Sequence, residues 1–78
     1  MVSTKEMQYF VARADIVEDI EKVLKDIDPT ITDLVYKVNT NNGDESVEIR
    51  YRSGVIRKVS VTRKAVRAIL QSLWRYVK

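Results

Sequence analysis

The stretch that decides the fold is Leu34–Val59, LVYKVNTNNGDESVEIRYRSGVIRKV. Leu34, Tyr36 and Val38 alternate with polar residues, and so do Val47, Ile49 and Tyr51. Alternation with period two is the mark of a strand with one buried face. Asn42-Gly43 lies between the two runs, and both residues tolerate the positive φ of a tight hairpin. With these two at the tip, Val38 pairs with Val47, Tyr36 with Ile49 and Leu34 with Tyr51. All six side chains then share a face, so turn chemistry and hydrophobic pattern agree on a register. A second turn follows at Arg52-Ser53-Gly54. A two-residue Ser53-Gly54 loop would place Lys58 and Ser60 on the core face. A three-residue loop with Gly54 in the left-handed conformation instead pairs Tyr51 with Val55 and Val47 with Val59. That register puts Arg57 opposite Ile49 on the inner face, where it must lie at the edge and snorkel or meet an acid of the first helix.

Upstream, Asp28-Pro29 closes a helical segment. Asp15-Ile16-Val17-Glu18 has the form of a capping box, and Ile16, Ile20, Val23, Leu24 and Ile27 recur at helical spacing. Residues 15–27 are therefore predicted helix. Residues 3–14 admit two readings. Ser3 and Glu6 form another capping box, with Met7, Phe10, Ala14 and Val17 extending a helical stripe, whereas Met7–Val11 also has strand-favouring side chains. Helix is preferred, bent near Asp15. Downstream, Thr62 is an N-cap for a helix with Val66, Ile69, Leu70, Leu73 and Val77 on its apolar face and Trp74 at the border, covering the core. The expected architecture is a single α+β domain over residues 1–78, a two-layer helix–three-stranded antiparallel meander–helix (αβββα) with both helices on one sheet face.

Composition narrows the chemistry. The 78 residues include no Cys and no His, which removes disulfides, thiolate chemistry, and the commonest general base and zinc ligand. No phosphate loop, nucleophile elbow or metal-ligand spacing occurs, so no enzyme, metal or cofactor is expected. The longest uncharged run, Ala68–Trp74, falls far short of a membrane span, and the N-terminus lacks a signal-peptide pattern. A cytoplasmic protein is the expectation.

Charge is divided along the chain. Residues 1–33 carry four cations and eight acids, and residues 34–78 carry ten cations and three acids, so a net −4 precedes a net +7. From Ile49 onward there is no acid. Such a division favours an anionic partner. Arg63, Lys64 and Arg67, joined by Arg75 on the same helix, are the candidate nucleic-acid contacts, because cations in the first turn of a helix oppose its dipole and a local rule broken without compensation points to function. The competing reading is a solvated face, or one that answers the acidic first helix. A second candidate surface is the outer sheet face, where the derived registers build the rows Val35–Arg50–Ile56 and Lys37–Glu48–Lys58. Val35, Arg50, Ile56 and Lys58 there are the candidate interface for a protein partner or a second copy.

The six residues Thr62-Arg63-Lys64-Ala65-Val66-Arg67 resemble the Ser-Lys-Lys-x-Ala-Lys start of the last helix in double-stranded-RNA-binding domains, which are also αβββα. The resemblance implies that these cations grip phosphates across RNA grooves. The chain departs from that family in lacking its Gly-Pro-x-His type loop and a Gly-x-Gly before the last helix, and in carrying Val66 and Leu70 where the family has small residues. The sequence thus leads to a small non-enzymatic binding module contacting nucleic-acid phosphates through the basic start of the last helix, with protein association or homodimerisation through the outer sheet face as the alternative.

Overall fold

A computed structural model describes residues 4–77. The elements run α1 (Thr4–Ile27), β1 (Ile31–Asn39), β2 (Asp44–Tyr51), β3 (Ile56–Ser60) and α2 (Val66–Trp74). The strands form an antiparallel sheet in the order β1-β2-β3. Val17, Ile20 and Leu24 of α1 and Ile69 and Leu73 of α2 join Leu34, Val47, Ile49 and Val59 in one core. The helices therefore cover the same sheet face, as the two-layer αβββα reading expects.

The stretch before Asp15 is helix, and α1 is continuous through that residue, so Asp15 is no cap. Its 24 residues rise about 36 Å, which accounts for the 37 Å long dimension of the molecule. Phe10, Arg13, Val17, Ile20 and Leu24 form its buried stripe at three- and four-residue intervals. Ser3, the first half of the other capping box, lies outside the described residues.

The β2–β3 hairpin follows its predicted register. Val47 pairs with Val59 and Ile49 with Arg57, and Gly54 takes a φ of 91°. The Tyr51 N–H donates to the Val55 carbonyl at 3.0 Å, closing the three-residue loop. The β1–β2 hairpin is shifted by two residues from its predicted register. Tyr36 pairs with Val47, Leu34 with Ile49 and Val38 with Glu45. The loop is four residues, Thr40 to Gly43, with the Gly43 N–H on the Asn39 carbonyl at 2.7 Å. Side chains of Asn39 and Asn42 accept from the N–H groups of Asn41 and Asp44. A two-residue slip leaves every side chain on its original face, so the pattern of apolar residues could not distinguish the two registers. The slip extends the ladder to Asn39 and Asp44 and pairs Glu45, on the inner face of β2, with Val38.

The largest correction is at the start of α2. Thr62 does not cap it. The helix begins at Val66 after Ala65, which provides no side-chain cap. Thr62 and Arg63 form a turn in which Arg63 adopts a φ of 55°, and the Lys64 N–H bonds the Val61 carbonyl at 3.0 Å. α2 packs only Ile69 and Leu73 fully. Val66, Leu70 and Trp74 are 45%, 39% and 50% exposed, so Trp74 does not seal the core as expected.

Candidate functional site: two ends of the last helix

The turn before α2 is held by side chains from α1 and β2. Arg13 on α1 donates from Nε to the Glu45 carboxylate on β2, from one terminal nitrogen to the Lys64 carbonyl (2.7 Å) and from the other to the Val61 carbonyl (3.0 Å). Glu45 also accepts from the Tyr36 hydroxyl and the Arg63 N–H (2.8 Å). The backbone N–H of Glu45 donates to the Thr62 hydroxyl at 2.9 Å. Tyr9 lies under the Arg13 guanidinium, 5.0 Å from ring centroid to Cζ, a cation–π distance. Burial alone would raise the Glu45 pKa, but the hydrogen bonds from Tyr36, the Arg63 backbone and Arg13 outweigh it and hold the carboxyl below its ordinary value. Burial and the bond to Glu45 push the Tyr36 phenol up. This is a satisfied buried ion pair, and its role is to set the turn.

Sequence reasoning passed over Arg13 and Glu45. A signal was present. Arg13 occupies a slot of the α1 core stripe, and Glu45 has the inner-face parity of Val47 and Ile49. Opposite charges at core positions in two elements predict a buried pair.

The predicted cations do not form one patch. Arg63 and Lys64 precede α2, and only Arg67 lies in its first turn, so the conflict with the helix dipole shrinks to one residue. The six-residue resemblance to an RNA-binding helix start loses its structural footing for the same reason. Arg63, Lys64 and Arg67 remain close in sequence and exposed at one end of α2. The Lys64 ammonium donates to the Ser72 hydroxyl at 3.0 Å, so its side chain runs along the helix. Arg75 is the C-cap, eight residues beyond Arg67 and about 12 Å along the axis, and a cation there complements the helix dipole.

Arg75 has other company. With Tyr76 and Val77 it lines a groove of about 480 Å³ whose opposite wall is the β2–β3 hairpin, including Tyr51, Arg52, Val55 and Arg57. The Tyr51 hydroxyl donates to the Tyr76 carbonyl at 3.1 Å and ties the chain after α2 to the sheet. Arg57 is exposed on edge strand β3. Arg52, Arg57 and Arg75 form no ion pair with a described residue.

The outer sheet face differs. The shift in register replaces the row Val35–Arg50–Ile56 with Asp33–Arg50–Ile56, and sets Val35 beside Glu48 and Lys58. Arg50 reaches Glu48 (3.4 Å) and Asp33 (3.9 Å), and Lys37 reaches Glu48 (3.0 Å). Lys37, first among these partners, lowers the Glu48 pKa. The face is a self-contained charge ladder around one exposed apolar side chain, Ile56, at 55%. Beside it a hollow of about 850 Å³ is lined by polar residues including Lys37, Ser46, Lys58 and Ser60.

The flanks that the two helices turn toward each other carry more exposed apolar residues. Glu21 accepts from the Leu34 N–H at 2.7 Å, which turns that flank of α1 toward β1. Val23 and Ile27 lie on the opposite flank by helical spacing, facing α2. Arg75 and Tyr76 share a groove with Arg57, so Val66, Leu70 and Trp74 on the other flank of α2 face α1. Among the described residues no three His, Cys, Asp or Glu side chains gather as a metal site, and no helix is long and apolar enough to cross a membrane. Comparison with protein-family models, curated proteins and solved structures found no match to this chain.

Proposed function

We propose that this chain is a small non-enzymatic binding module whose α2 and β3 side contacts nucleic-acid phosphates. The observation that carries the reading is the set of cations there without acidic partners. Arg52, Arg57, Arg63, Lys64, Arg67 and Arg75 form no ion pair among the described residues, and no acid follows Glu48 in the sequence. The buried Arg13 and the outer-face Arg50 and Lys37, by contrast, are paired. Unpaired cations at both ends of a short helix suit a ligand with repeating negative charge.

Fluorescence anisotropy with labelled nucleic acid at low and moderate salt tests this. Affinity should fall steeply with salt, with a log–log slope of roughly −0.9 per duplex phosphate neutralised. Reversing Arg63, Lys64 and Arg67 to Glu should weaken it while leaving the circular dichroism unchanged. Absence of binding at low salt, or binding indifferent to salt, would falsify the reading.

The exposed Val23, Ile27, Val66, Leu70 and Trp74 favour protein association as a second reading, now through the helix layer in preference to the outer sheet face. Helical spacing sets Val23 with Ile27 on one flank of α1 and Val66 with Leu70 and Trp74 on one flank of α2, and exposed apolar patches mark interfaces. Sedimentation of wild type and Leu70→Lys separates the cases: loss of a dimer in the variant supports the helix layer, and a monomer at every concentration removes self-association.

A further inference from the structure

We propose that the groove between the end of α2 and the β2–β3 hairpin binds one nucleotide of a single strand, its phosphate on Arg52, Arg57 and Arg75 and its base against Tyr76. The proposal rests on the phosphate-binding reading and names the ligand that one part of that surface takes. Three separate elements supply the guanidinium groups: the hairpin loop gives Arg52, β3 gives Arg57 and the C-cap of α2 gives Arg75. The fork of an arginine matches phosphate oxygens in pairs, and none of the three is engaged by a described acid. No acidic side chain lines the groove.

The rest of the lining argues against a bare anion. Val55 and Val77 are aliphatic, Tyr76 is 37% exposed, and Tyr51 fixes the Tyr76 backbone through its hydroxyl. Aromatic and aliphatic surface beside cations is how sequence-tolerant single-strand sites hold a base face and its backbone together. In a duplex those base faces are covered by their neighbours, so such a lining adds nothing there. The volume, about 480 Å³, lies in the range of roughly 300–1,000 Å³ typical of small-ligand sites.

The test uses the full chain, a labelled oligothymidylate and a duplex of equal length, at two salt concentrations. Replacing Arg52, Arg57 and Arg75 together with Ser should lower single-strand affinity at least tenfold and flatten its salt slope by about 0.7, the value for one single-strand phosphate, while duplex affinity falls much less. Tyr76→Ala should lower single-strand affinity about fivefold or more, as expected for losing a stacked base, with the slope unchanged, and Tyr76→Phe should restore it. Amide shifts on adding adenosine monophosphate should centre on Tyr51, Arg52, Arg57 and Tyr76, which decides the matter even where the triple variant is unstable. Single-strand affinity unaltered by Tyr76→Ala, or shifts confined to residues 63–67, overturns the groove. If wild type binds and only the Arg63, Lys64, Arg67 reversal removes binding, the groove fails and the wider phosphate reading stands. If wild type binds neither strand at low salt, both fail.

Discussion

The two ends of α2 treat charge in opposite ways. At its start, Arg13 and Glu45 are buried, and Glu45 also takes donors from Tyr36 and the Arg63 backbone. At its end, Arg52, Arg57 and Arg75 stand around an open groove and form no ion pair among the described residues. Desolvating an ion is costly unless its geometry is fully satisfied, so the first set must be complete to exist and is part of the fold. The second set remains solvated and costs the fold little. Charge that is spent on structure and charge that is available to a ligand are thus separated by one short helix.

That contrast can be broken most severely at Glu45. Glu45→Ala leaves Arg13 buried without its counter-ion, and the expected destabilisation is about 3–5 kcal/mol, read as a lower denaturation midpoint in urea. A destabilisation below about 1 kcal/mol would show that the pair is solvated in solution. Acid should act on the same site. Because the Glu45 pKa is lowered in the folded state, its contribution is present above the unfolded value near 4.3 and is lost as pH falls through the lower folded value. Thermal melts should therefore show stability declining below about pH 4, and the acid-side decline should be shallower in Glu45→Gln. At the open end, Gly54→Ala tests the hairpin. An added Cβ meets nothing within 4 Å, so only the backbone penalty at a φ of 91° applies, about 1–2 kcal/mol. The smallest effect belongs to the arginines. Arg52→Ser and Arg75→Ser should each change stability by no more than about 0.5 kcal/mol, and a larger loss would mean that the open end also supports the fold.

The same division explains which parts of the structure were legible in the sequence. Local and periodic signals transferred well: helix over residues 15–27, the Gly54 loop, the β2–β3 register and the order of elements, although of the expected α1 stripe Ile20 and Leu24 are buried while Val23 and Ile27 are exposed. The β1–β2 register slipped because Asn42-Gly43 marks a turn without fixing its length, and a shift by two preserves every face. The start of α2 was misplaced because Thr62 reads as an N-cap from its neighbours alone. Its hydroxyl is instead engaged by Glu45, 17 residues earlier in the chain. Arg63 and Lys64 were assigned to the helix for the same reason, so the compact site expected at one helix start became cations at two ends. The groove escaped notice because Arg52, Arg57 and Arg75 belong to three elements that meet only after the chain has folded.

The Arg13 side chain also has a consequence in time. Its bonds to Glu45, Val61 and Lys64 span 32, 48 and 51 residues. Closing loops of that length costs entropy before any bond rewards it, and contacts this distant in sequence slow folding. The β2–β3 hairpin needs only its own loop, whereas the turn before α2 cannot lock until α1 has docked. The C-terminal helix should therefore be the last element to gain protection from hydrogen exchange during refolding, even though β3 beside it is among the first.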